Sequence, residues 1–248
     1  MRDGDFHVRG KEISRVEGLS DAVFGFAITL LVVSLEVPHT AGEVLHAMRG
    51  FFAFAITFSL LFAVWRMQFG FFRRYGLEDS TTVKLTGVLL FVILFFVYPL
   101  KFVFGAIVDR LLMHAGFLDR ASTQPISGPD FNLMYIAFSL GWSAVLGVFA
   151  LLYRHAYRMR HELQLTPLEV FDTREALWRV MIAALPGIIL AAMTIGLYAF
   201  PQAENVIVYP VFAVLILLVV AMRRHRGGYT ARRQAAVEAQ RTDEVIGA

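Results

Sequence analysis

Six runs of about twenty apolar residues, each long enough for a helix that crosses a bilayer, recur along the 248-residue chain. They are Leu19 to Val37, Gly50 to Phe72, Val83 to Gly105, Phe131 to Tyr153, Leu177 to Phe200 and Val206 to Met222. Lipid offers backbone N–H and C=O groups no partners, so such runs must pair them internally as helices. The pattern predicts an all-α membrane protein with six transmembrane helices. Composition agrees, since 57% of the residues are hydrophobic, against roughly 45 to 50% in soluble domains.

The basic residues orient these spans. Of 23 Lys and Arg, all but Arg49, Lys101, Arg110 and Arg120 fall in the N-terminal tail, the second and fourth connections, or the C-terminal tail. The positive-inside rule therefore predicts that both termini are cytoplasmic. The same dispersal over four segments argues against a nucleic-acid surface, which needs its cations on one face. With no cysteine in the chain, disulfide and thiolate chemistry are excluded. The first run is too long for a signal-peptide core and has no small-residue cleavage pattern before Pro38, so it is expected to remain as a helix. Residues 1–222 read as one six-helix membrane domain and 223–248 as a basic, solvated and partly disordered cytoplasmic tail.

Between the spans, residues 109–130 carry Gly, Ser, Pro and Asp without a period and predict a surface loop. Tyr153 to Glu162 has the composition of a helical extension whose Arg side chains meet anionic head groups. A ligand site using His155 and His161 is the alternative there. Pro99, Pro186 and Pro210 lie inside apolar runs, where neighbouring helices can satisfy freed carbonyls. Glu36 and Lys101 lie near outer helix ends, where long charged side chains snorkel. Glu36 is also a candidate for an acidic ring at the outer mouth.

The first run has an Arg, a Ser and an Asp at its start, and ionisable groups at the edge of a membrane helix are costly enough to suggest a role. At about 100° per residue, Ala22, Phe26, Leu30, Val33 and Val37 fall within about 40° of Phe26, and Thr29 lies at about −60°. Asp21 lies about 140° away, in the direction of Gly25, Ile28 and Val32. That side is expected to meet neighbouring helices, while the Phe26 side is free for another purpose. Read locally, Ser20 would cap the helix, with Asp21 in its first turn facing the positive end of the dipole.

Arg15, Val16, Glu17, Gly18, Leu19, Ser20 and Asp21 resemble the R-x-x-x-F-S-D signature of the transmembrane protein 175 family of cation channels, with Leu19 in place of Phe. The resemblance continues through Ala22, Val23, Phe24, Ala27, Ile28, Thr29, Leu30 and Leu31, which match A-V-F-x-x-A-I-T-L-L. It implies a potassium-permeable cation channel of the prokaryotic six-helix type in the plasma membrane. Such members assemble as homotetramers with the first helix lining a central pore. Residues 1–222 would then be the channel domain.

Carried over residue by residue, the resemblance implies constriction rings at Phe26, Leu30 and Val33, with a polar layer at Thr29. Phe26 stands where Ile or Leu is usual. The resemblance further implies that Arg15, Ser20 and Asp21 brace the cytoplasmic end of the first helix. Trp65 can donate its indole hydrogen to Asp21 or Ser20, with an aromatic of the membrane-interface belt as the alternative reading. Gln68 and Phe69 stand where many members carry a His pair, so a proton-sensitive role of that pair is not inherited.

A hydrophobic ring gates by dewetting, so an apolar lining is compatible with conduction. The T-V-G-Y-G filter is absent, so selectivity among monovalent cations is expected to be modest, with K⁺ permeant and no cofactor or metal. A secondary transporter or a proton-permeable leak pathway is the alternative. The spans carry few deep polar groups, mainly Thr57, Ser59, Ser139, Ser143 and Thr194, and no midplane carboxylate, which disfavours a coupled substrate site. No H-E-x-x-H, G-x-S-x-G or paired intramembrane aspartates point to an enzyme.

Overall fold

The computed structural model describes residues 2–3, 6–33, 41–114, 128–198, 233, 234 and 237. A two-stranded antiparallel hairpin, β1 (Arg2–Asp3) and β2 (Phe6–His7), pairs Arg2 with His7 and Asp3 with Phe6. Five helices follow: α1 (Arg15–Val33), α2 (Ala41–Tyr75), α3 (Ser80–His114), α4 (Gly128–Arg158) and α5 (Pro167–Tyr198). All five are long and apolar enough to cross a membrane, over Arg15–Val33, Gly50–Tyr75, Ser80–Asp109, Asn132–Arg158 and Pro167–Gly196. The predicted sixth span, Val206 to Met222, lies outside the described residues, as do Pro210 and Glu36.

The helices overrun the apolar runs that announced them. α1 starts at Arg15 rather than Leu19, because Ser14 Oγ accepts a hydrogen bond from the Glu17 backbone N–H at 3.1 Å. Ser14 is therefore the N-cap, and Ser20 lies further along the helix instead of capping it. α5 starts at Pro167, ten residues before the predicted Leu177. Thr166 and Glu169 form a reciprocal capping box: Glu169 N donates to Thr166 Oγ1 at 3.3 Å, and Thr166 N donates to Glu169 Oε2 at 3.0 Å. Pro167, at the first helical position, needs no donor there.

Two connections also differ from expectation. The helical extension past Tyr153 ends at Arg158, and the chain then turns through Gln164, whose φ is 49°. The loop predicted from Asp109 instead continues α3 as far as His114, and α4 is already helical at Gly128.

α4 and α5 form the most extensive pair, α3 packs on α4, and α1 lies against both α2 and α3. The core runs through Phe24, Ala27, Leu31, Leu61, Phe71, Leu89, Ile93, Val97, Phe149 and Leu152. Pro99 and Pro186 sit inside continuous helices. Just before Pro186, α4 supplies extra donors: Trp142 Nε1 reaches Ala183 O at 3.0 Å and Ser143 Oγ reaches Ala184 O at 2.9 Å. Of the C-terminal tail, the described residues 233, 234 and 237 are helical. Arg233 Nε lies 3.5 Å from Asp172 Oδ1 on α5; the rest of the predicted solvated tail lies outside the described residues.

Candidate pore helix and its anchor

Three sectors divide α1. Glu17, Ser20, Phe24, Ala27 and Leu31 are buried, a stripe centred about 140° to one side of Phe26. Asp21 lies about 140° to the other side. Between them, Phe26 is 56% exposed and Val33 73% exposed, and Ala22 and Thr29 are exposed too. Leu30, about 40° toward the buried stripe, is half-buried. The four residues expected to line a pore thus share a face that the subunit's own core leaves largely uncovered. Thr29 Oγ1 donates to Gly25 O at 2.9 Å, which leaves its lone pairs open on that face.

The start of the helix is anchored to α2 by the predicted residues. Trp65 Nε1 donates to Asp21 Oδ1 at 2.7 Å. Gln68 Nε2 donates to Ser20 Oγ at 2.9 Å, and Ser20 Oγ donates in turn to Val16 O at 2.7 Å. The buried Ser20 hydroxyl is thereby satisfied as both donor and acceptor, while Gln68 Oε1 stays buried without a partner among the described residues. Asp21 remains exposed, so its contact is with Trp65 at the edge of the pair and not within a packed interior as expected. Arg15 is exposed and takes no part in these bonds among the described residues.

A ladder of aromatic rings along α2 leads to Trp65. Phe51, Phe54, Phe58, Phe62, Trp65 and Phe69 follow one another with centroids 6.3, 6.1, 6.2, 5.3 and 5.6 Å apart. Sequence reasoning missed this stripe, although the spacing of three and four residues was its signal. It fixes the face of α2 that presents the indole to Asp21.

Below α1, a second unforeseen structure holds the N-terminal segment. Glu169 is 1% exposed. Its carboxylate accepts from His7 N at 2.7 Å, from Arg9 Nη1 and Nη2 at 3.2 and 2.7 Å, and from the Thr166 cap. Arg9 Nε also reaches Leu163 O at 2.8 Å. Arg9 N and Gly10 N both donate to Arg73 O at 3.2 Å, satisfying a carbonyl that the end of α2 leaves open.

Two glycines make that approach possible. Gly76 has φ +59°, and a Cβ there would stand 3.0 Å from Gly10 N; a Cβ on Gly10 would collide with Phe72 O.

At the same end of the bundle, His155 Nε2 lies 3.0 Å from Asp79 Oδ2. Asp79 also accepts from Thr82 Oγ1 at 2.6 Å and Thr81 N at 3.0 Å. Partial burial works to raise the Asp79 pKa, but these hydrogen bonds outweigh it and hold the group at about 2. His155 is thus a strut between α4 and the start of α3. Among the described residues no group of three or more His, Cys, Asp or Glu could hold a metal ion.

Most of the deep hydroxyls are spent on backbone: Thr57 donates to Ala53 O, Ser59 to Ala55 O, and Thr194 to Leu190 O, at 2.7 to 2.8 Å, whereas the buried Ser139 Oγ finds no partner among the described residues. Ser143 serves the carbonyl before Pro186. These four groups brace helices.

Comparison with known proteins agrees with this architecture. Residues 15–96 match the family described as endosomal/lysosomal potassium channel TMEM175. A potassium channel of Marivirga tractuosa is 38% identical over 175 residues, covering 70% of this chain and 71% of that protein. A potassium channel of Chamaesiphon minutus is 27% identical over 170 residues, 56% of this chain and 84% of the relative. The crystal structure of a variant of the potassium channel MtTMEM175, in complex with a nanobody–MBP fusion protein, superposes with a TM-score of 0.79. It is 31% identical and the match covers 91% of this chain and 98% of that one. By sequence over most of its length and by fold, this integral, multi-pass membrane protein belongs to the TMEM175 channel family.

Proposed function

We propose that the chain is a potassium-permeable cation channel of the plasma membrane, assembled as a homotetramer with both termini cytoplasmic and with α1 around the central axis. Phe26, Leu30 and Val33 form its hydrophobic constriction and Thr29 its polar layer. One observation carries this reading: α1 is bonded to α2 through Ser20 and Asp21, yet its Phe26 and Val33 side is left more than half exposed by the subunit. A single helix cannot enclose a path, so the uncovered face needs symmetry-related copies around one axis. Four copies are the assembly that the family resemblance implies. The relatives named as potassium channels support K⁺ as the permeant ion.

Apolar rings without a carbonyl filter give modest discrimination among monovalent cations. The secondary-transporter reading loses support because Thr57, Ser59, Ser143 and Thr194 bond helix carbonyls and the spans carry no midplane carboxylate. Purified protein in liposomes tests the proposal. A channel gives unitary currents carried by K⁺ that do not saturate at the turnover of a carrier; slow, saturable uptake without unitary events would reject it.

A further inference from the structure

Resting on the reading of α1 as the pore helix, we propose that the N-terminal segment from Phe6 to Ser14 is a clasp that sets the position of α1, with Arg9 and Glu169 as positioning residues for the gate. The segment is held at both ends. Near its start, Phe6 is buried against the edge of Tyr75 at 5.5 Å, between the guanidinium groups of Arg9 and Arg74 at 5.6 and 5.5 Å from the ring. Arg9 then pairs through two nitrogens with Glu169 and reaches the carbonyls of Leu163 and Gln164 at 2.8 and 3.2 Å. At its other end, Ser14 caps α1.

Only three residues separate Gly10, whose carbonyl accepts from Arg73 Nη1 at 3.0 Å, from that cap. So short a link transmits displacement: α1 cannot shift along its axis or tilt far at this end while Arg9 stays on Glu169. The clasp therefore joins α5 and the α4–α5 turn to the helix that carries Phe26, Leu30 and Val33. The pairing also favours one seated position over partial release. Glu169 is almost fully buried, so withdrawal of Arg9 leaves a buried carboxylate short of its counter-charge. The seated clasp holds the rings of α1 at one height, and release lets α1 leave that position.

The test is single-channel recording of the full chain in planar bilayers, comparing wild type, Arg9→Ala, Arg9→Lys, Glu169→Gln and Leu30→Ala, with oligomeric state and melting temperature measured for each. Arg9→Ala is expected to raise open probability about tenfold, within the usual range of coupling between sites, at unchanged unitary conductance. Arg9→Lys, which keeps the charge and loses the fork, should give a smaller rise. Glu169→Gln removes the carboxylate charge and keeps one acceptor oxygen, for His7 N or for Thr166 N but not for both, so it weakens the clasp from the α5 side and, with Arg9→Lys, covers the case in which Arg9→Ala fails to fold.

Wild-type open probability in Arg9→Ala and Glu169→Gln would overturn the proposal and leave the segment a structural brace, whatever happened to the melting temperature. The pore reading is judged separately by Leu30→Ala. A changed unitary conductance there alone keeps the pore and removes the clasp, and an unchanged one removes both.

Discussion

Truncation of Leu30 and of Ile28 should separate conduction from stability, because the two residues are neighbours in sequence but lie about 160° apart around α1. Ile28 packs against the apolar core from a half-buried position. Full burial would make Ile28→Ala cost about 2 to 5 kcal/mol, so about 1 to 2 kcal/mol is expected here. Leu30 is also half-buried, on the side shared with Phe26, and its removal should cost about 1 kcal/mol within the subunit. In the assembly, however, Leu30→Ala removes four symmetry-related side chains from one ring. That widens a constriction whose barrier is the exclusion of water. Potassium flux into liposomes, normalised to tetrameric protein by size-exclusion chromatography, should rise in Leu30→Ala, with sodium leak rising alongside. Ile28→Ala should melt earlier and conduct like wild type per folded channel. Equal flux in all three proteins, each tetrameric, would refute the assignment of this face to the gate.

Native mass spectrometry in mild detergent should give a tetramer, and a stable monomer would remove the pore reading. Trp65→Phe keeps the ring ladder but deletes the donor to Asp21; it should destabilise the fold by about 1 kcal/mol, measured by thermal melting, with ion preference unchanged. A change in K⁺ over Na⁺ preference alone would instead place Asp21 in the ion path. The Asp79 carboxyl titrates at about 2, below its ordinary 3.8, so its contribution is present above about pH 4 and is lost as pH falls toward 2. Wild type should therefore lose thermal stability between pH 4 and 2 more steeply than Asp79→Asn, and parallel profiles would contradict the strut.

Much of α1 was legible in the sequence because its evidence is local. A helical period places Phe26 and Val33 on one side and Asp21 on another, and the motif brings Trp65 to Asp21 as expected. Helix starts were less legible to hydropathy, which responds only to the lipid-facing length. The first turns of α5 carry Glu169, Asp172 and Arg174 and so break the apolar run, although Thr166-Pro167 with Glu169 three residues after the Thr is a helix-start signal in its own right.

The clasp could not be read in this way. Arg9 and Glu169 are 160 residues apart, and a basic residue in an N-terminal tail is accounted for equally well by topology. Nor does sequence order tell which face of α1 the core will cover: the buried stripe is fixed by α2 and α3 packing on Phe24, Ala27 and Leu31. Leu30 is half-buried because it lies on the edge nearest that stripe.

The most direct test uses the absence of native cysteine. Leu30→Cys and Ile28→Cys are each introduced alone, and K⁺ current is recorded while a soluble thiol-reactive cation is applied. If α1 lines the path through the Phe26, Leu30 and Val33 face, current through Leu30→Cys channels is blocked and the wild-type and Ile28→Cys currents persist. Persistent current through modified Leu30→Cys channels, or block of Ile28→Cys in its place, would contradict the account.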